Sequence, residues 1–154
     1  AMLINLSSQE QDDLFQFGLN FGMAFQIIDD IQDFVGSESM SGKSYLNDMG
    51  GGKITLPIIY LLEQITGEEK QTVSKIFDRN RKIATTGKDV QMLLDLLKEN
   101  NGISSAIKEA DKFIAKANVS LENMKESPGK NGLVNLTGYL LSLIQAQNSF
   151  AARG

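Results

Sequence analysis

Apolar residues recur at intervals of three and four from early in the chain. Phe17, Phe21, Ala24, Phe25, Ile28, Ile31 and Val35 fall at helical spacing, with Leu14, Met23, Ile27 and Phe34 on other faces. The segment from Ser8 to about Val35 is therefore predicted to be one long helix. Ser7 or Ser8 supplies a cap, and acids occupy the first turns. A helix this apolar all round is expected to be buried. Gly36 ends it, and a stretch rich in Gly, Ser and Asn runs to Gly52. Further helices are predicted near 55–65, 69–79, 86–99, 103–125 and 130–150, with most breaks at glycine or proline. No strand-like alternation persists and no repeat of fixed period is present. The expected fold class is all-α, with residues 1–154 forming a single helical domain with short connections. At 154 residues the chain can bury one real core and falls short of two.

Composition narrows the chemistry by exclusion. A net charge of -4 leaves no basic surface on which to build a nucleic-acid footprint, so nucleic acid is not expected as a partner. There are no cysteines and no histidines, which removes disulfides, thiolate sites and the imidazole ligand. Any metal would be held by oxygen, which favours magnesium, calcium or manganese. No apolar run approaches the roughly 18 residues of a membrane span, and the start lacks a basic region followed by an apolar run. The cytoplasm is the expected location.

Charge is unevenly placed. Residues 1–42 hold Glu10, Asp12, Asp13, Asp29, Asp30, Asp33 and Glu38 without a single Lys or Arg; all 15 basic residues lie from Lys43 onwards. On the first helix Gly22, Gln26, Asp29 and Asp33 are spaced by four, three and four residues, which puts them on one stripe, with Asp30 beside it. Desolvating unpaired carboxylates costs several kcal/mol, and no cation lies within the helical segment itself. The stripe is then expected to face a watery cavity and bind a divalent cation. Magnesium suits this, since one or two carboxylates and substrate phosphates commonly hold it. A solvated acidic face, or ion pairs made by the helix with distant lysines, is the competing reading of a bare D-D-x-x-D run.

The loop that follows favours the first reading. Lys43 and Lys53 flank Asp48 among Gly42, Gly50, Gly51 and Gly52, where bare backbone can approach a phosphate and lysine supplies a compact positive charge. A merely flexible connection with solvated lysines is the alternative. A nucleotide-binding P-loop is excluded. Five residues separate Gly36 from Gly42-Lys43-Ser44 where four are required, the segment follows a helix, and Gly52-Lys53 is followed by Ile54.

Taken in order, Gly22, Phe25-Gln26, Asp29-Asp30, Asp33, Gly42-Lys43, Asp48 and Gly52-Lys53-Ile54-Thr55-Leu56-Pro57 resemble the second aspartate-rich region of the trans-isoprenyl diphosphate synthases, over 36 residues. The resemblance implies a helical bundle like the C-terminal half of the isoprenoid synthase fold, usually dimeric, in which two aspartate-rich helices face one another across a cavity and hold a Mg2+ cluster. It implies that Asp29 is the principal metal ligand, with Asp30 and Asp33 acting directly or through water. Lys43 and Lys53 would contact the diphosphate of an allylic prenyl substrate, and Phe25 and Gln26 would line the pocket near the reacting carbons. The implied reaction is metal-assisted ionisation of the allylic diphosphate, attack by isopentenyl diphosphate and loss of a proton.

Departures from the family pattern limit that expectation. Only 28 residues precede Asp29, so the first aspartate-rich motif, the arginine pair after it and the basic residues for isopentenyl diphosphate are lacking. Tyr139 matches a C-terminal aromatic position, but Leu143 stands where an arginine is expected. The chain is thus expected to supply the second motif alone, to be inactive without the remaining half, and to self-associate or bind a partner subunit. Two rivals stand beside this reading: a non-catalytic helical dimerisation subunit or truncated paralogue, and an enzyme that ionises diphosphates in the manner of a terpene cyclase.

Overall fold

The structure is a computed structural model and describes residues 6–35, 53–78 and 86–151, with side chains to residue 146. Every element among these residues is a helix: α1 Ser8–Val35, α2 Leu56–Gln64, α3 Gly67–Ile76, α4 Gly87–Glu99, α5 Gly102–Leu121 and α6 Pro128–Ala151. All the predicted helices are present, and the local chemistry at their ends explains where they start. At Ser7 the cap is reciprocal. The backbone N–H and hydroxyl of Ser7 donate to Glu10 Oε2 at 2.9 and 2.7 Å, and Glu10 N–H donates back to Ser7 Oγ at 3.2 Å, a capping box that satisfies otherwise orphaned donors. Thr86 and Asp89 repeat it before α4. Ser127 caps α6, accepting the Lys130 N–H at 3.1 Å, with Pro128 in the first turn where its missing N–H costs nothing.

One boundary differs from expectation. The helix predicted to reach 125 ends at Leu121, because Glu122 and Met124 donate to Val119 and Leu121, three residues back, and the turn tightens out of α geometry.

α1 and α5 form the centre of the molecule. Phe17, Asn20, Ala24, Ile27, Ile31 and Phe34 are buried on α1, and Ile103, Ile107, Ala110, Ile114, Ala117 and Leu121 on α5. Both sets alternate steps of three and four, the seam along which two helices pack over many turns. Fully buried Ala106, Ala110 and Ala117 let the backbones come close. Phe17 clusters with Ala117 and Leu121, so the start of α1 meets the end of α5 and the two run antiparallel. The acid-bearing end of α1 therefore lies at the N-terminal end of α5. α2 and α6 also pack against both. A buried Thr137 hydroxyl donates to Asn118 Oδ1 at 2.7 Å, tying α6 to α5.

α1 is buried along one side, and more of it lies open than the acid stripe expected to face a cavity. α2, α5 and α6 cover only one sector of it. Phe15, Leu19, Met23 and Phe25 stand exposed on the remainder, between 44% and 66% accessible. Composition reports that a helix can be buried on every side, but only neighbours decide which sides are.

Candidate metal and diphosphate site

The last two turns of α1 carry the acids, and packing sorts them. Gly22, Phe25, Gln26, Asp29 and Asp33 are exposed on the sector left open by α5 and α6, so the predicted stripe exists as one continuous surface. Asp30 is one residue, about 100° of helix, further round from Asp29. It is only 8% exposed and sits beside the core residues Ile27, Ile31 and Phe34. The three carboxylates therefore occupy two environments, an open pair and a buried single.

Burial of Asp30 is offset from outside the helix. Lys53 Nζ donates to Asp30 Oδ1 at 2.8 Å, and Gln26 Nε2 donates to the same oxygen at 3.0 Å. As expected, no cation lies within the helix itself; the partner is a lysine 23 positions further along the chain, the distant ion pair that stood as a competing reading of these acids. That pairing has a topological cause. Residue 53 lies three residues before α2, and α2 packs against α1 and α5 at the acid end.

Lys53 keeps most of its side chain accessible, 63%, against 11% for that of Asp30. Its ammonium is held above the usual lysine pKa, first by the hydrogen bond and charge of Asp30, and further by the fields of Asp33 and Asp29, with burial opposing slightly. One ammonium therefore senses all three acids while still facing solvent. Lys43 and Asp48, with Gly42, Gly50, Gly51 and Gly52, lie outside the described residues. Among the described residues no three carboxylates converge closely enough to enclose a metal ion. Of the C-terminal positions singled out, Tyr139 is exposed and Leu143 packs partly against the core.

Sequence reasoning missed the role of Gln26 as a donor to Asp30. Its spacing of four from Asp30 was a usable signal, since side chains four apart on a helix are neighbours. No local pattern announced the partnership of Lys53 with Asp30.

The arrangement defines a class: an all-helical protein whose open helix face presents paired carboxylates next to an anchored ammonium, a set able to hold a divalent cation and an oxyanion together. Comparison with known proteins agrees. The polyprenyl synthetase family profile matches residues 1–97. A prenyl transferase of Porphyra purpurea is 32% identical over 92% of this chain and 42% of its own length. An all-trans-nonaprenyl-diphosphate synthase (geranyl-diphosphate specific) of Rhodobacter capsulatus is 32% identical over 94% and 43%. Among solved structures, geranylgeranyl pyrophosphate synthase from Corynebacterium glutamicum, complexed with calcium and isoprenyl diphosphate, superposes with a TM-score of 0.75 at 28% identity, over 94% of this chain and 43% of that one. The chain belongs to the polyprenyl synthetase family. It spans less than half the length of these relatives.

Among the described residues no helix is long and apolar enough to cross a membrane.

Proposed function

We propose that this chain forms the second aspartate-rich wall of a prenyl diphosphate synthase, which condenses isopentenyl diphosphate with an allylic prenyl diphosphate, and that it does not turn over alone. The observation that carries the reading is the open pair Asp29 and Asp33 on one stripe, with the Lys53 ammonium fixed beside it by Asp30. The donor set suits magnesium. Among the described residues it consists of hard carboxylate oxygens, too few to enclose the ion, which suits a metal that keeps water and phosphate in its coordination. Bound there, Mg2+ would stabilise the negative charge that collects on a departing diphosphate.

In this reading Asp29 and Asp33 hold the cation, with Asp30 adjoining them. Lys53, together with Lys43, binds diphosphate oxygens. Phe25 and Gln26, exposed one turn earlier on the same stripe, border the allylic carbons. The apolar residues Phe15, Leu19 and Met23 leave α1 open to a covering surface, which fits assembly with a second copy or with a partner that supplies the remaining metal ligands and the isopentenyl diphosphate site. The same exposed face favours the second reading, a helical subunit that serves only to associate.

Ligand-linked stability separates the two. With Mg2+ and inorganic diphosphate or a bisphosphonate at about 100 times Kd, the melting temperature should rise by about 5–11 °C, and Asp29→Ala should abolish the rise. No rise with either ligand leaves the associating-subunit reading standing. Sedimentation of the same samples gives the oligomeric state.

A further inference from the structure

Three observations define the surroundings of Asp30. It is buried, while Asp29 and Asp33 are open. Its Oδ1 already accepts two donors, Lys53 Nζ at 2.8 Å and Gln26 Nε2 at 3.0 Å. It does not converge with the other two acids into a three-carboxylate cage. A divalent cation seated on Oδ1 would compete with an ammonium already at hydrogen-bond distance from that oxygen, and the two positive charges repel. Freed from Lys53, Asp30 would in turn be a buried carboxylate with its main partner gone.

We propose that Asp30 is a positioning residue rather than a direct metal ligand: with Gln26 it latches Lys53 beside the acid-bearing end of α1. The latch has a consequence for anion binding. Lys53 is held at the amine by a buried acceptor while most of its side chain faces solvent, so its remaining N–H donors are aimed without the entropy loss that a free lysine would suffer on binding. The role given to Lys53 rests on the metal and diphosphate reading above; the existence of the latch does not.

Two measurements on the full chain decide the matter separately. The first needs no ligand. Melting temperatures are compared for the unsubstituted chain, Lys53→Met, Asp30→Asn and the double variant. Lys53→Met should lower the midpoint by about 2–6 °C when Asp30 is present, because a buried carboxylate is left unpaired, and by less than about 1 °C in the Asp30→Asn background. Equal losses in both backgrounds overturn the latch.

The second reads Mg2+ and inorganic diphosphate midpoints from thermal shift, each titrated at saturation of the other. Asp29→Asn should raise the Mg2+ midpoint about tenfold or more. Asp30→Asn and Lys53→Met should leave it within about threefold, yet each should raise the diphosphate midpoint about tenfold, and the double variant should go no further. Lys53→Arg should recover part of the loss. If Asp30→Asn moves the Mg2+ midpoint as far as Asp29→Asn does, Asp30 is a metal ligand and the assignment is overturned. If the unsubstituted chain does not respond to Mg2+ and diphosphate at all, the functional reading fails together with the anion role of Lys53, and the ligand-free measurement still decides the latch.

Discussion

Gly102 is where the fold is least able to accept one more carbon. It opens α5 at the end that faces the site. A Cβ there would lie 2.7 Å from Leu97 Cδ2, 2.9 Å from the Pro57 carbonyl oxygen and 3.6 Å from Leu61 Cβ. Leu97 and Leu61 are fully buried, so neither has room to rotate away. The Pro57 carbonyl belongs to the first turn of α2 and cannot move without that turn. Relieving the contact requires α2 and α5 to part by several tenths of an ångström. Overpacking of this kind costs about 1–3 kcal/mol, offset by up to about 1 kcal/mol of helix propensity gained on replacing glycine.

Gly102→Ala should therefore destabilise by about 1–2 kcal/mol, a fall of about 2–8 °C in melting temperature for a chain of this length. Urea unfolding followed by circular dichroism measures it. Gly138→Ala is the control, since a Cβ at Gly138 meets nothing within 4 Å; it should stabilise by about 0.5–1 kcal/mol. A Gly102→Ala variant as stable as the unsubstituted chain would refute the close approach of α2 to α5. The same displacement carries Lys53 away from Asp30, so the coupling between those two residues should shrink in the Gly102→Ala background.

Thr55 caps α2 without using its side chain, and its buried Oγ1 has no hydrogen-bond partner among the described residues; Thr55→Val should be neutral or stabilise by up to about 1 kcal/mol, and a loss above that in urea unfolding would show that the hydroxyl is bound by a group beyond them. The pKa of Glu10 is lowered below its usual 4.5 by the hydrogen bonds from Ser7. Its contribution to stability is present above pH 4.5 and is lost as pH falls through the folded-state value, so Glu10→Gln should flatten the acid limb of a melting-temperature profile. Burial raises Asp111 above its usual 3.8, which has the opposite sign: stability falls as pH rises from 3.8 through the folded-state value. Asp111→Asn should accordingly gain stability relative to the unsubstituted chain at pH 7 and not at pH 3.

The sequence by itself determined whatever depends on residues within four positions of one another. The alternation of threes and fours along Phe17 to Phe34 and Ile103 to Leu121 places apolar side chains on one face of each helix, and Ser7 with Glu10, Thr86 with Asp89, and Ser127 before Pro128 begin helices by bonding the donors that a helix start exposes. The stripe of Gly22, Gln26, Asp29 and Asp33 follows from the same period. What periodicity cannot supply is the identity of a partner. Tertiary packing alone decided that α5 covers one sector of α1 and leaves Phe15, Leu19, Met23 and Phe25 open, that Asp30 falls inside the boundary while Asp29 and Asp33 fall outside, and that Gly102 lies beneath Pro57. It also decided that Lys53 closes on Asp30. An ion pair across 23 positions has no local signature, because it depends on where α2 docks, and that is fixed by the shape of the whole core.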